Sequence, residues 1–332
     1  MKIAVLGAGT WAIALSCALC PRGHEIVVWS KFPEEVTAIR ESRTARNLPG
    51  VRIPSQVEFT SDPMAAVENA RFILAAVPSV HMRETVRLFA PLIQGDPIWI
   101  NAAKGIEGNT LMTLTEVMES ELAGAGILHP HLTAISGPTH AEEVARNQPT
   151  LIVAAGHRDD ATSVQNLFEG TCIRPYTNDD LRGVQICGAL KNVEALAVGI
   201  ATGLGYGDNT RAALITRGME EIRRLGLEMG CQERTFFGLA GIGDLIVTAT
   251  SRHSRNNRCG MLIGGGKTVE EAVREIGMVV EGMNALPAAV ALCRKYGMEM
   301  PIIESVRQVV EEHADPAEIV RDLMGRRLKK ES

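Results

Sequence analysis

The sequence has no strong excess of charge of either sign and no long uninterrupted hydrophobic run. Its 332 residues include 34 Lys and Arg and 39 Asp and Glu, and a net charge of −5 gives nucleic acid or an anionic membrane nothing to bind. The most apolar long window, residues 184–205, is interrupted by Lys191, Asn192 and Glu194, which argues against a membrane span. The composition predicts neither a nucleic-acid partner nor a membrane-spanning segment.

The cysteine and histidine patterns typical of disulfide frameworks and metal sites are missing as well. Seven cysteines are an odd number scattered over the chain, which favours a reducing compartment. Cys17 and Cys20 have CxxC spacing but lie in an apolar helical pattern, so core packing is favoured over a redox or metal site. The apolar run at the start is too short for a signal peptide. We expect a cytoplasmic protein without a bound metal.

The chain changes character near residue 178, and its length suggests about two domains. Before that point, apolar runs predict a helix at 11–20 and strands at 2–8, 25–29, 72–78, 97–103, 132–138 and 150–156. After it, helices are predicted at 181–204, 208–229, 258–264, 268–277, 282–297, 302–312 and 316–328. Uninterrupted apolar strands are typical of a parallel sheet covered on both faces. We expect a doubly wound α/β domain of the Rossmann type at 1–178 and an all-helical domain at 179–332.

A glycine-rich turn follows the first predicted strand. Gly7, Gly9 and Ala12 form a GxGxxA pattern at the start of a helix. The first glycine allows a tight turn, the second lets a pyrophosphate approach the backbone, and the small third residue lets the helix pack on the strand. Because strand, turn, helix and next strand all have the required spacing, a dinucleotide site is favoured over a plain tight turn.

The end of the second predicted strand bears on which dinucleotide binds. An acidic residue there favours NAD, whereas a basic residue accommodates the 2′-phosphate of NADP. Ser30 and Lys31 occupy this position, which favours NADP or tolerance of both cofactors. A solvated surface role for Lys31 is the alternative.

Three other stretches carry groups that packing alone does not require. Lys104 follows a strand, where open α/β folds bind ligands, and Thr139 follows another strand in a Gly-Pro turn. In the run from residue 238 to 260, Asp244 follows two glycines. Arg255 lies later in the same run among hydroxyl and amide side chains. This combination suits a phosphate monoester, because a guanidinium can pair with two phosphate oxygens and the neutral donors can bind the third. For Lys104 the alternative is a solvated lysine in a surface loop, and for Thr139 it is ordinary turn and cap chemistry. For the run 238–260 it is a solvated, capped helix start.

Lys191 lies in a helix that is apolar on almost every side. Burial lowers the pKa of a lysine toward neutrality, where it can give and take the proton that a carbonyl oxygen needs during reduction by hydride. The alternative is a helix pair with Glu194 in which the ammonium reaches solvent. Spacing alone does not separate these two interpretations.

The motifs together resemble a known family. In order and spacing, "GAGTWAIAL", "NAAKGIE", "SGPTHAEEVA", "GALKNVEALAVGI", "GLAGIGDLIVTATSRHSRNNR" and "VVEGMNA" are similar to NAD(P)-dependent glycerol-3-phosphate dehydrogenases of the bacterial type. The resemblance covers nearly the whole chain. It implies reversible hydride transfer between NAD(P)H and dihydroxyacetone phosphate, giving sn-glycerol 3-phosphate for phospholipid synthesis, and a homodimer is our further expectation.

The resemblance also implies roles for individual residues. Lys191 would be the proton donor and acceptor, and Asp244 would orient both Lys191 and the substrate. Substrate-binding positions would be Lys104, Gly137, Thr139, Lys191, Asp244, Ser254, Arg255 and Asn256. Cofactor-binding positions would be Gly7, Gly9, Thr10, Trp11, Ala12, Lys31, Lys104, Ala141, Arg255, Val279 and Glu281.

The sequence departs from the family at three positions and leaves two other classes open. Ala12 replaces the usual third glycine, while His140 and Glu142 stand where an aromatic residue and a lysine are common. A β-hydroxyacid or 6-phosphogluconate-type dehydrogenase is one alternative, and the phosphate-type cluster around Arg255 argues against it. A non-catalytic NADP-sensing protein is the other, and retention of Lys191 and Asp244 argues against that.

Overall fold

The first half of the chain forms one mixed but mainly parallel sheet. The computed structural model describes residues 1–328 and residue 330. The strands of the described residues are β1 (Lys2–Leu6), β2 (Glu25–Trp29), β3 (Val57–Thr60), β4 (Ala70–Ala75), β5 (Ile98–Asn101), β6 (His131–Ser136), β7 (Thr150–Gly156) and β8 (Ile173–Asn178). Their order in the sheet is β3-β2-β1-β4-β5-β6-β7-β8. Neighbouring strands are parallel except β6 and β7, which run antiparallel.

Helices cover both faces of this sheet. They are α1 (Thr10–Leu19), α2 (Pro33–Ser42), α3 (Pro63–Val67), α4 (Met82–Phe89), α5 (Leu114–Gly124), α6 (Ala141–Val144) and α7 (Arg158–Leu167). Successive residues of a strand point to opposite faces, so Ile3 of β1 joins a core with Ile13 of α1, whereas Ala4 joins a core with Val86 of α4. The sheet is therefore doubly wound, as the sequence predicts.

The second half of the described chain is helical. Its helices are α8 (Leu181–Gly203), α9 (Asp208–Glu228), α10 (Glu233–Phe236), α11 (Asp244–Thr250), α12 (Arg255–Gly264), α13 (Val269–Ile276), α14 (Glu281–Tyr296), α15 (Pro301–Glu311) and α16 (Pro316–Met324). Among the described residues, α8 alone is long and apolar enough to cross a membrane by length and composition, but 94% of its apolar window is buried within the fold. It is the core around which α9, α11, α12 and α14 pack.

The sequence misses several elements for identifiable reasons. The strands β3 and β8 were not expected, because both are sheet edges on which exposed polar residues alternate with buried ones. The sheet is mainly parallel, as expected, but β6 and β7 pair antiparallel; a buried strand has the same apolar pattern in either direction, so the sequence does not show this. The helix α11 was also not expected, and α12 begins three residues earlier than the predicted 258.

Candidate active site

The turn between β1 and α1 has the geometry that the GxGxxA pattern predicts. Gly7 has a φ of +106°, and a Cβ there would approach the carbonyl oxygen of Ala76 to 3.1 Å. A Cβ on Gly9, by contrast, would have no heavy atom within 4 Å, so open space lies in front of it. Ala12 is completely buried where α1 packs on the sheet. Because no side chain caps the start of α1, its first amides are free for a pyrophosphate, and the turn fits a dinucleotide.

Other predicted cofactor positions surround this turn. Thr10 and Trp11 open α1, and Trp11 lines a cleft together with Lys104 and Thr139. Ala141 is the first residue of α6, which packs against α1. Lys31 is exposed beyond β2, and its Nζ lies 3.6 Å from a carboxylate oxygen of Glu84.

Val279 and Glu281 approach the cleft from the helical half. Glu281 begins α14, and its carboxylate accepts a hydrogen bond of 2.9 Å from Ser79, in the loop after β4. Burial raises the pKa of Glu281, and the Ser79 hydroxyl and the nearby Arg255 guanidinium partly offset that rise. Val279 is 40% exposed two residues earlier. This hydrogen bond joins the sheet and the helical half at the rim of the cleft.

Lys191 is buried and held by groups of α11. Its Nζ lies 2.7 Å from Oδ1 of Asp244 and 2.5 Å from Oγ1 of Thr248, and the residue is 4% exposed. Glu194 forms no hydrogen bond within the described residues, so the alternative of a solvent-reaching pair between Lys191 and Glu194 is wrong. The buried ammonium has a partner on another helix.

Asp244 joins two lysines from the two halves of the chain. Its Oδ2 lies 2.5 Å from Nζ of Lys104, which follows β5, while Oδ1 binds Lys191 of α8. The glycine turn Leu239–Gly243 carries the chain into α11 at Asp244. A Cβ on Gly241 would overlap the carbonyl oxygen of Phe236, so this tight approach requires glycine.

The two lysines and the aspartate control one another's charge. Burial lowers the pKa of Lys191 to about 8; Asp244 works against this fall and the positive charge of Lys104 adds to it. Burial alone would raise the pKa of Asp244, but Lys104 and Lys191 together hold it below its ordinary value. Asp244 is therefore a permanent anion near neutral pH, and Lys191 is poised to exchange a proton.

Lys104 also connects the site to the turn after β6. Its Nζ donates a 3.1 Å hydrogen bond to the carbonyl oxygen of Gly137 and lies 3.4 Å from Oγ1 of Thr139. Gly188 of α8 lies close to this arrangement, because a Cβ there would approach the Ser136 hydroxyl to 3.2 Å and would only just contact Cγ of Lys104 at 3.5 Å. The loops after β1, β4, β5 and β6 thus meet at the carboxyl edge of the sheet, facing α8.

The predicted anion cluster lies at the start of α12. Ser254 is the N-cap, and its hydroxyl oxygen accepts a 3.2 Å hydrogen bond from the amide of Asn257. The side chain of Asn256 is buried and binds Asn192 and the amide of Gly282, each at 2.9 Å, so it ties α12 to α8 and α14. Arg255 is partly exposed, and among the described residues its charge acts on the Glu281 carboxylate without a side-chain hydrogen bond between them. Its guanidinium therefore keeps its N–H donors available for an anion.

Some residues at the site were not expected from sequence. Thr248 binds the Lys191 ammonium and lies four residues after Asp244, so recognition of α11 would have placed both on one helix face. Asn192 and Ser79 act through partners distant in sequence and give no local signal. Ser136 is buried in the cleft with an unpaired hydroxyl among the described residues. Within residues 1–328 and 330, no cluster of three or more His, Cys, Asp or Glu side chains could hold a metal ion.

Glycine turns of this kind, opposite a buried lysine on a helical domain, occur in two-domain NAD(P)-dependent dehydrogenases, and this chain is one of them. Sequence comparison narrows the class. The N-terminal model of the NAD-dependent glycerol-3-phosphate dehydrogenases matches residues 2–162, and the C-terminal model of the same enzymes matches residues 180–321. The chain belongs to the NAD-dependent glycerol-3-phosphate dehydrogenase family.

Individual relatives agree with this assignment. The glycerol-3-phosphate dehydrogenase (NAD(P)+) 2 of Lactobacillus delbrueckii subsp. bulgaricus is 54% identical over 332 residues, 99% of this chain and 98% of the relative. The Bacillus subtilis glycerol-3-phosphate dehydrogenase (NAD(P)+) is 43% identical over 98% of this chain and 94% of its own. The crystal structure of the Coxiella burnetii glycerol-3-phosphate dehydrogenase is 35% identical, has a TM-score of 0.93, and is matched over 98% of this chain and 99% of its own.

Proposed function

We propose that the chain catalyses reversible hydride transfer between NAD(P)H and dihydroxyacetone phosphate, forming sn-glycerol 3-phosphate for glycerophospholipid synthesis. The observation that carries this proposal is Asp244 binding Lys191 and Lys104 beside the glycine turn, with Arg255 free nearby. Relatives that this chain matches over nearly their full lengths are named glycerol-3-phosphate dehydrogenase, which supports the proposal.

The proposed chemistry needs one proton and one hydride. A dinucleotide whose pyrophosphate is held at the Gly7 to Ala12 turn would supply or accept the hydride through its nicotinamide. Lys191 gives its proton to the carbonyl oxygen of the substrate during reduction and takes it back during oxidation. Asp244 and Thr248 hold the Lys191 Nζ in place by hydrogen bonds of 2.7 and 2.5 Å. The apolar residues around Lys191 exclude water from the transfer.

We assign substrate binding to groups from both halves of the chain. Gly137, Thr139 and Asp244 hold the Lys104 ammonium in place, and giving up the long 3.4 Å bond to Thr139 would release one N–H to orient a hydroxyl or carbonyl of the substrate. Arg255 would pair with the phosphate, since a guanidinium can bind two of its oxygens and the Ser254 hydroxyl can donate to the third. Asn256, whose amide is engaged by other parts of the protein, would support these groups by positioning the start of α12.

The test is oxidation of NADPH and of NADH by the purified protein with dihydroxyacetone phosphate as acceptor, followed by absorbance. We expect turnover with this acceptor and formation of sn-glycerol 3-phosphate. Absence of acceptor-dependent oxidation with both cofactors would reject the proposal.

Arg255→Ala should raise the KM for dihydroxyacetone phosphate at least about tenfold, because a charge-assisted pair is lost. An unchanged KM would move the phosphate site elsewhere.

Within this reaction we propose a preference for NADP over NAD. Lys31 supports it, because its exposed ammonium stands beyond the end of β2, where the ribose 2′ position of a dinucleotide lies in this fold. Ser30, directly after β2, donates a 2.5 Å hydrogen bond to Glu35, and Lys31 pairs with Glu84, so the Lys31 ammonium would exchange Glu84 for the 2′-phosphate. A lower KM for NADPH than for NADH is expected, and Lys31→Ala should narrow the difference. A clear preference for NADH would contradict the assignment.

We propose that the boundary between the two domains lies at residues 178 and 179, and that the protein acts as a cytoplasmic homodimer. Supporting the boundary, β8 ends at Asn178 and α8 begins at Leu181. The predicted end of the second domain at 332 lies outside the described residues. The seven free cysteines support a reducing compartment.

The dimer proposal rests on apolar side chains exposed in the helical half, which a second copy would cover. Phe237, Ile246 and Met324 are 64%, 48% and 82% exposed. Light scattering coupled to gel filtration should give twice the 35.8 kDa mass of the chain. A single-chain mass at micromolar concentration would contradict the proposal.

A further inference from the structure

Two histidines from opposite sides of the cleft meet in the structure. His140 follows Thr139 in the turn after β6, and His253 lies between α11 and α12, directly before Ser254. Their ring centroids are 5.6 Å apart and the rings are tilted by 55°. This histidine pair (His140 and His253) therefore connects the substrate turn of the sheet with the start of the proposed phosphate site.

The His140 ring carries an unused polar atom. Its Nε2 is buried and has no hydrogen-bond partner within the described part of the chain. Such an atom costs free energy unless a ligand or water satisfies it. His253 is exposed at the mouth of the cleft, and its backbone amide donates to the Ser251 hydroxyl.

The charges facing His140 favour its neutral form. Burial lowers the pKa of His140; Glu143 and Glu142 on its own helix oppose this fall, whereas Lys191 of α8 and His253 add to it. His140 is therefore held in its neutral form. A dianion placed beside His140 opposes this effect, since it stabilises the protonated form of the ring.

We propose that the histidine pair binds the phosphate dianion of the substrate and that His140 takes up a proton from solvent as it does so. This inference rests on the proposed function and names two binding residues beyond those that the sequence indicates. Protonated His140 carries a hydrogen on both ring nitrogens, so its Nε2 can donate to a phosphate oxygen whichever tautomer the neutral ring has. The His253 ring offers a further N–H on the side of Ser254 and Arg255. The histidine pair acts on substrate affinity, while Lys191 acts on the chemical step.

The proposal gives the affinity for substrate a distinctive pH dependence. A phosphate monoester gains its second charge near pH 6, so its own titration makes binding tighter as the pH rises. Loss of the imidazole protons makes binding weaker at higher pH instead. The KM for dihydroxyacetone phosphate should therefore rise on the alkaline side in the wild-type protein. That rise should be smaller when His140 is replaced, because only the contribution of Lys191, whose pKa is about 8, then remains.

The first experiment compares KM and kcat across about pH 6 to 9 for the wild type, His140→Phe and His253→Gln. Phe keeps the volume of the His140 ring and removes its donor. We expect His140→Phe to raise the KM for dihydroxyacetone phosphate about tenfold near pH 7, as loss of a hydrogen bond to a charged group predicts, and to flatten its pH profile. The KM for the reduced cofactor and kcat should stay close to wild type. His157→Phe, an exposed histidine before α7, is the matched control.

The second experiment does not depend on any variant folding. Calorimetric titration of the wild-type complex with NADH by sn-glycerol 3-phosphate, in two buffers of different ionisation enthalpy, counts the protons bound in a complex that cannot turn over. Net uptake of about half a proton or more at pH 7 supports the proposal, because Lys191, with a pKa of about 8, is already mostly protonated there. No uptake, or a wild-type KM profile in both histidine variants, would overturn it. Failure of the wild type to reduce dihydroxyacetone phosphate would instead reject the proposed function.

Discussion

Lys191 is an ammonium enclosed by apolar helix walls and balanced by one carboxylate. Two opposing effects determine its pKa: burial and the charge of Lys104 lower it, and the Asp244 carboxylate 2.7 Å away raises it. The result, about 8, is far below the ordinary value of 10.5. A group with such a pKa can release and recover a proton at physiological pH, which an exposed lysine does poorly. The same pair of contacts makes Asp244 a positioning group for Lys191 as well as its counter-ion.

Replacement of Lys191 should abolish turnover without abolishing cofactor binding. We expect Lys191→Ala to lower kcat by about 10² to 10⁴, because a proton donor in the transition state is lost. Cofactor fluorescence should report near-normal binding, and Lys267→Ala, a surface lysine paired with Glu275, should behave as wild type. Substantial residual turnover in Lys191→Ala would reject the proposed role.

The pH dependence of the two directions should be opposite in sign. Reduction needs protonated Lys191, so its single-turnover rate should fall as the pH rises through about 8. Oxidation needs the neutral amine, so its rate should rise over the same interval. Rapid mixing in both directions measures these profiles. Parallel profiles would show that another group carries the proton.

Helices α8 and α12 lie against each other at backbone distance because glycines face one another. A Cβ on Gly260 of α12 would overlap the carbonyl oxygen of Leu196, and one on Gly199 of α8 would overlap that of Asn257. No larger residue fits such an approach. The contact places the start of α12, with Arg255, at a set distance from Lys191 on α8.

Gly260→Ala should disturb both stability and substrate affinity. The added methyl must push α12 away from α8, and overpacking of this kind costs about 1 to 3 kcal/mol of the free energy of unfolding. Because the shift moves Arg255, the KM for dihydroxyacetone phosphate should also rise, whereas the KM for the cofactor should change little. Urea unfolding and steady-state kinetics measure the two effects. Gly108→Ala, where a Cβ has no heavy atom within 4 Å, is the control, and equal behaviour of the two variants would contradict this packing argument.

At the scale of the whole molecule, the helical half encloses two acids that do not take part in the proposed chemistry. Glu194 is 1% exposed, and neither of its carboxylate oxygens has a hydrogen-bond partner in the described residues. Burial and the nearby Glu221 raise its pKa well above the ordinary value. Burial likewise raises the pKa of Glu221 to about 7, although the amides of Ile302 and Ile303 partly offset this. The native protein therefore holds protons that the unfolded chain releases.

These acids should make the protein less stable as the pH rises. Between the ordinary glutamate value of 4.5 and about 7, the folded state binds more protons than the unfolded state, so the free energy of unfolding falls with increasing pH. Glu194→Gln keeps the shape and removes one titration, so its stability should exceed that of the wild type by at least about 1 kcal/mol at pH 8, with a smaller difference at pH 5. Urea unfolding at the two pH values measures this.

The control for that experiment is Glu228→Gln, which removes the same charge from an exposed position near the end of α9. Its free energy of unfolding should follow the wild type at both pH values. A Glu194→Gln variant that also follows the wild type would mean that Glu194 is solvated in the native state.

The sequence by itself determined the class of fold, the glycine turn and the main candidate residues for the site. These features are local: the period of apolar residues, and glycines where only a missing Cβ permits the turn at Gly7. The resemblance of whole motifs extended that information to Lys191, Lys104, Asp244 and Arg255. The edge strands β3 and β8 were not predicted, because exposed polar residues interrupt the apolar run by which a buried strand is recognised.

Tertiary structure alone decided which of those groups act on one another. The alternatives for Lys191 were separated by a contact with Asp244, 53 residues away, and not by its own helix. The link from Lys104 to Asp244 spans 140 residues, and the histidine pair joins the turn after β6 to the loop before α12. A proton affinity depends on burial and on charges within a few ångströms, and only the folded chain brings these together.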